Sequence, residues 1–197
     1  MKKITIVALL SVFVAAPAMA DNTGKYYIAG DLGSASFSNS SSPATIGVAF
    51  KNPGAFRIAG GYHFSPMLAV EAGYLMLGDS TISYTNASLT SKNSALQIAA
   101  VGTFAVAPTF DLIGKLGMSM NSNKLTGTGA ASIVNSSTSS TALMFGIGAQ
   151  YNVNQQVSIR AQYENFGNFK TNDGPVPPVT SWDMGVTMFS VGVAYNF

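Results

Sequence analysis

The last nine residues run Phe189-Ser190-Val191-Gly192-Val193-Ala194-Tyr195-Asn196-Phe197. Every second residue is large and apolar, and those between are small or polar, so the segment predicts a strand with one apolar face and one small polar face. The same period of two recurs along the chain and predicts eight strands, near 25–37, 55–64, 67–83, 94–106, 109–121, 141–152, 157–168 and 183–197. In the second, Phe56, Ile58, Tyr62 and Phe64 share one face while Arg57, Ala59, Gly61 and His63 share the other. In the seventh, Val157, Ile159 and Tyr163 oppose Ser158, Arg160, Gln162 and Glu164. The fifth sets Phe110, Leu112, Leu116 and Met118 against Asp111, Lys115 and Gly117, with Ile113 interrupting the polar face.

The connections alternate in length. Ser65-Pro66, Ala107-Pro108 and Val153-Asn154-Gln155 are tight turns, whereas 39–54, 84–93, 122–140 and 171–182 are longer and rich in Ser, Thr, Asn, Gly and Pro. An even number of strands with short turns at one end and long polar loops at the other predicts an all-β fold. The expected form is an eight-stranded antiparallel up-and-down transmembrane β-barrel, its turns periplasmic and its loops extracellular. The interior of such a barrel is just wide enough to be filled by side chains. Phe, Tyr, Leu and Ile from every strand would overfill it, so the Gly/Ala/Ser/Thr face is expected inside and the large apolar face toward lipid. Tyr26, Tyr62, Phe64, Tyr151, Tyr195 and Phe197 lie near strand ends and suit an interfacial aromatic girdle.

Composition supports this placement. Charged residues are 9% of the chain, against about a quarter in soluble domains, and beyond the N-terminus no apolar run reaches the ~20 residues of a membrane helix. The N-terminus itself reads as a cleaved export signal over residues 1–20. Lys2 and Lys3 form a basic start, 4–16 is apolar, Pro17 breaks the run, and Ala18-Met19-Ala20 is a small-x-small cleavage site. The barrel domain is then 21–197. The ten basic residues include Lys2 and Lys3, so eight remain against eight acidic ones, which leaves no basic patch for nucleic acid. The absence of Cys excludes a disulfide framework and a thiolate metal site.

With these strands in place, the chain resembles a known family. The run Phe56-Arg-Ile-Ala-Gly-Gly-Tyr62-His-Phe-Ser-Pro66, then Val70-Glu71-Ala-Gly73-Tyr74 and Leu77-Gly78, is similar to the second hairpin of the transmembrane domain of outer membrane protein A (OmpA). Ser158-Ile-Arg160-Ala-Gln-Tyr163 and the closing strand Phe189 to Phe197 resemble that domain's last two strands. The resemblance covers the barrel without the C-terminal peptidoglycan-binding domain, as in small adhesin-type and porin-family relatives. It implies a monomer in the outer membrane of a Gram-negative bacterium, exported through the periplasm. The implied partners are outer-membrane lipid and lipopolysaccharide, periplasmic chaperones and the barrel-assembly machinery. That machinery reads the terminal aromatic strand, here Tyr195 and Phe197.

The inward face collects Asp31, Arg57, Glu71, Lys115, Arg160 and Glu164. A charge inside a filled barrel is costly unless paired, so three acids and three bases predict a lumen ion-pair network. By resemblance, Glu71 and Arg160 stand at matching positions, while Gln150 takes the place of the family's lumen glutamate on the sixth strand. Glu71 and Arg160 should face each other, with Lys115 close enough to share the acid. A paired-carboxylate acid/base site at Asp31 and Glu71, or Glu71 and Glu164, is less consistent with three bases on the same face.

His63 is the only histidine and lies beside a short turn, so it reads as structural rather than as a catalytic base or metal ligand. A lipid A-modifying enzyme would place its groups at the other end. Gly127-Thr-Gly129 lacks the Lys-Ser or Lys-Thr of a phosphate loop, and Gly146-Ile-Gly148 reads as small lumen positions. No catalytic residue, cofactor or metal is therefore expected. The expected function is a non-enzymatic structural envelope protein with a narrow porin-like solute passage. The alternative is a surface adhesin or receptor acting on a host ligand through its four long loops. The Ser-rich runs 38–42 and 136–140, and Trp182 after Pro175-Val-Pro-Pro178, would belong to that surface.

Overall fold

A computed structural model describes residues 22–39, 53–84, 87–129, 135–171 and 182–197. The expected signal segment and the tips of the long connections, Trp182's side chain included, lie outside the described residues or side chains. Among the described residues there are nine strand segments: β1 (Tyr26–Asn39), β2 (Gly54–Ser65), β3 (Leu68–Leu77), β4 (Ser80–Tyr84), β5 (Ala87–Ala107), β6 (Phe110–Gly129), β7 (Asn135–Asn152), β8 (Val157–Thr171) and β9 (Trp182–Asn196). Each pairs antiparallel with its neighbour, and β1 pairs with β9 from Tyr27↔Asn196 to Asn39↔Met184, which closes the sheet. Both β3 and β4 pair with β5, so they are two halves of one barrel position and the barrel is eight-stranded.

The break at Gly78-Asp79 has a local cause. β2 begins at Gly54, opposite the end of β3, and the Gly78 N–H donates to the Gly54 carbonyl at 2.8 Å. Beyond that point the third position has lost its β2 neighbour, and only pairing with β5 continues. Short turns are fixed by side chains. Ser65 Oγ accepts from the Met67 and Leu68 N–H groups at 3.3 and 3.1 Å, and Asn154 Oδ1 accepts from Gln156 and Val157 at 2.8 and 2.7 Å. Such local bonds are why Ser and Asn favour turns.

The expected facing holds through the middle of the barrel. Ile28, Leu32, Ile58, Leu116, Leu143, Ile147, Phe189 and Val193 are exposed on the outside, while Asp31, Arg57, Glu71, Lys115, Arg160 and Glu164 are buried inside. Two features differ from the sequence expectation. First, the described residues of 84–93 and 122–140 are mostly strand: β5 and β6 pair without a break from Ala87↔Gly129 to Ala105↔Asp111, with an irregularity before Ala107↔Phe110. At 21 and 20 residues, both far exceed the ~9–11 that cross a bilayer. Their upper parts, such as Ser88-Leu-Thr-Ser-Lys92, are polar at nearly every position, so the apolar alternation that marks a membrane strand is lost there.

Second, the interior is not uniformly small and polar. Leu75, Leu77, Met144, Phe166, Val186 and Met188 point inward and are fully or nearly fully buried, with Ala35, Ala55, Ala95 and Ala99. On every strand that carries both, this apolar layer lies nearer the long-loop end than the charges do. Leu75 follows Glu71, Phe166 follows Glu164, and Ala35 follows Asp31.

Candidate functional site

Six charged lumen residues from five strands come together: Asp31 on β1, Arg57 on β2, Glu71 on β3, Lys115 on β6, and Arg160 and Glu164 on β8; Asp111 on β6 is also buried but lies apart from them, nearer the short turns. The six form a closed ring in which acid and base alternate. Arg57 Nη2 is 2.8 Å from Asp31 Oδ2, whose other neighbour is Arg160 Nη2 at 2.7 Å. Arg160 Nη1 reaches Glu71 Oε2 at 2.8 Å, and Glu71 Oε1 meets Lys115 Nζ at 2.6 Å. Lys115 also touches Glu164 Oε1 at 3.3 Å, and Glu164 Oε2 returns to Arg57 Nη1 at 2.5 Å. Each charge has two opposite neighbours and the ring is neutral.

Burying an ion costs several kcal/mol unless charge and hydrogen-bonding capacity are both met. Here Tyr27 Oη donates a further bond to Glu71 Oε2 at 3.0 Å, and Gln162 Nε2 donates to Asp31 Oδ1 at 3.4 Å. Gln150 is outside the ring. Its amide donates to Asn152 Oδ1 at 2.9 Å, and Asn152 donates in turn to Asp111 Oδ2 at 2.7 Å.

Two glycines make room for the ring. Gly192 on β9 pairs with Asp31 on one side and Arg160 on the other, so the Asp31–Arg160 bridge passes directly over it. A Cβ there would collide with Asp31. Gly146 on β7 stands in the same relation to Lys115 and Glu164, and a Cβ there would press on the Glu164 side chain. The ring can therefore span strands that are not adjacent.

Below the ring, toward the short turns, lies a cavity of about 250 Å³ open at that end, with Lys115, Arg160 and Tyr27 at its inner side and His63, Asp111, Gln150 and Asn196 among its walls. His63 sits there against the Tyr27 ring, centroids 5.0 Å apart, at the barrel mouth rather than in the charged ring. Above the ring, the apolar layer fills the lumen. Sequence periodicity missed that layer because its residues have the inward parity assigned to small side chains. The available signal was the pair Val186 and Met188, which breaks the small face of β9.

Tyr195 and Phe197 are on the outer face, their rings edge to face at 5.2 Å, and the Phe197 N–H donates to the Tyr26 carbonyl at 2.9 Å. They stand beside Tyr26, Tyr62 and Phe64, where the Tyr26–Tyr62 and Tyr62–Phe64 centroids are 4.9 and 5.1 Å apart. This cluster is one side of an aromatic girdle at the short-turn end.

A closed antiparallel eight-stranded barrel with lipid-facing apolar residues and a charged, filled lumen defines a small outer-membrane β-barrel protein of Gram-negative type. The chain belongs to the outer membrane protein beta-barrel domain family, whose model matches residues 5–197. No curated protein sequence matches it. Among solved structures it is similar to Ail, the attachment invasion locus protein of Yersinia pestis, in complex with the heparin analogue sucrose octasulfate. The identity is 19%, coverage is 89% of this chain and 99% of that one, and the TM-score is 0.59. Neisserial surface protein A matches at 20% identity, 87% and 97% coverage and TM-score 0.59. The N-terminal barrel of Pseudomonas aeruginosa OprF matches at 11%, 89% and 100%, and 0.53. These likenesses are of fold.

Proposed function

We propose that this is a non-enzymatic, monomeric outer-membrane barrel with a closed lumen, whose main role is structural in the envelope. The single observation that carries this is the neutral six-charge ring overlain by an apolar layer. A solute crossing the lumen would have to break buried ion pairs and then part Leu75, Met144, Phe166 and Met188. Any porin-like passage therefore requires rearrangement of both layers. Tyr195 and Phe197 serve as the aromatic signal read by the assembly machinery after chaperoned transit of the periplasm. Reconstitution in planar bilayers tests the closed lumen: no steady conductance is expected from the unaltered protein, and a steady ohmic current would overturn the reading.

A second reading, adhesion, is favoured by one feature. The β5–β6 hairpin stands well clear of the membrane band and is polar on its outer face. The similar barrel Ail is described in complex with a heparin analogue. Binding of the protein to sulfated glycans or host cells, abolished by shortening 84–93 and 122–140, would support adhesion. Unchanged binding after that shortening would remove the hairpin from it.

A further inference from the structure

The charged ring is neutral, so the charge of the cavity beneath it is set by other groups. Lys115 and Arg160 stand at its inner side, but each already holds two ring acids and brings no uncompensated charge. Asp111 is different. It is the one carboxylate in the cavity walls, it is 4% exposed, and among the described residues it pairs with no base. Its Oδ2 accepts from the Asn152 amide at 2.7 Å, and Oδ1 has no donor among the described residues. A buried charge met by one neutral hydrogen bond is costly, which leaves Asp111 to take a counter-charge from the cavity.

Two further oxygens lie nearby. Gln150 is the cross-strand partner of Asp111, and its amide nitrogen is committed to Asn152 Oδ1 at 2.9 Å, which leaves Oε1 free to accept. Ser158 is the cross-strand partner of Asn152 on the other side. It is 1% exposed, lines the same cavity, and its hydroxyl has no partner among the described residues. A buried hydroxyl left unpaired is destabilising. Asp111 on β6, Gln150 on β7 and Ser158 on β8 thus line three adjacent strands with unused polar atoms, while Val101 and Ile113 supply apolar wall. The volume, about 250 Å³, suits an organic cation better than a bare metal ion, which needs about six or more oxygens close around it.

We propose that this cavity binds a small primary amine that carries a hydroxyl a few carbons away. The ammonium donates to Asp111 Oδ1 and Gln150 Oε1, the hydroxyl pairs with Ser158, and the carbon chain between them takes the apolar wall. An ammonium brings one positive charge and three N–H donors, which Asp111 and Gln150 lack, whereas an anion would meet Asp111 with like charge. The site fills from the short-turn end and stands whether or not the lumen conducts.

The test follows the full barrel, folded in zwitterionic detergent, by NMR titration with propanolamine. Heat-dependent gel mobility first shows that each variant is a folded barrel. Propanolamine should shift the backbone amide resonances of Asp111, Gln150 and Ser158 saturably, and propylamine should bind about threefold more weakly for want of one hydrogen bond. Asp111→Asn keeps an acceptor for Asn152 but removes the charge, and should weaken both amines by roughly tenfold or more. Ser158→Ala should bring propanolamine down to the affinity of propylamine and leave propylamine unchanged, the coupling expected of a direct contact. Asp79→Asn at the long-loop end is the charge control and should change neither. Equal affinity in Asp111→Asn and the unaltered protein would overturn the proposal. So would equal shifts from propanol, propionate or calcium, since those outcomes assign the site to the alkyl chain, to an anion or to an inorganic cation. An equal loss of both amines in Ser158→Ala would remove the hydroxyl from the ligand.

Discussion

Arg160 and Glu71 meet inside the barrel, Nη1 to Oε2 at 2.8 Å, while Lys115 holds the other oxygen of the same carboxylate at 2.6 Å. Arg160 reaches across from β8 and Glu71 from β3, strands that are not neighbours in the sheet. The contact therefore braces the barrel across its lumen, something no ladder hydrogen bond can do.

Arg160→Ala removes one bridging cation and leaves Asp31 and Glu71 each with a single base. Breaking a buried pair this way costs about 3–5 kcal/mol. Arg160 also borders the cavity open to the short-turn end, so hydration of the exposed carboxylates should hold the loss near 3 kcal/mol or below. Urea unfolding in lipid vesicles measures it. Glu71→Ala in the Arg160→Ala background should then cost much less than Glu71→Ala alone, since neighbouring sites of one network do not add. Full additivity of the two would mean that the contact contributes no coupling.

Arg57 should be the more sensitive position. It is fully buried, binds both Asp31 and Glu164, and does not line the cavity. Its loss leaves Asp31 and Glu164 with one base each and with less access to water, so Arg57→Ala is expected to cost more than Arg160→Ala, toward about 5 kcal/mol. Arg57→Lys should recover only part, because one ammonium cannot reproduce a planar fork aimed at two acids. Equal unfolding midpoints for Arg57→Ala and Arg160→Ala would show that cavity water does not discriminate between the two.

Glycine positions offer a test that changes no charge. Gly192 lies beneath the Asp31–Arg160 bridge, and a Cβ there would meet both the Asp31 side chain and the Gly30 carbonyl. Gly192→Ala should cost roughly 1–3 kcal/mol, as expected for a methyl forced into a filled interior. Gly30 is on the lipid face with nothing within reach of a Cβ, so Gly30→Ala should stay within about 0.5 kcal/mol. The same vesicle unfolding assay compares them. Similar losses at both sites would mean that glycine matters here for strand conformation and not for the room it leaves the ring.

The barrel could be read from the chain wherever lipid imposes alternation. Phe56-Arg57-Ile58-Ala59 has its large residues in hydrocarbon and its small or charged ones inside, so period two is plain. Above the membrane lipid imposes no such pattern, and Ser88-Leu-Thr-Ser-Lys92 carries no such mark although it is paired residue for residue with β6. Six members of the charged ring were legible from their shared inward parity, although Asp111 has that parity too and stands outside the ring, at the cavity below it. The ring's order around the lumen was not legible, because that depends on barrel tilt and on which glycines lie between the strands. The apolar layer was hidden for a related reason: Leu75 and Phe166 have inward parity, and only closure of the barrel shows that they meet at one height.

The charged ring and the apolar layer form two barriers in series. Removing one should not open the lumen while the other stands. Arg160→Ala thins the ring but leaves Phe166, Met144 and Met188 packed above it. Phe166→Ala removes a fully buried ring and should cost about 3–5 kcal/mol of stability, yet the six-charge ring below remains closed. In planar bilayers each single variant should show at most brief, small events. Combined, the two substitutions should give steady conductance, continuous from the cavity at the short-turn end through both layers. Phe166→Leu in place of Phe166→Ala keeps most of the volume and should keep the pair closed. Steady current from Arg160→Ala alone would show that the apolar layer is no barrier, and an electrically silent double variant would place the decisive closure elsewhere.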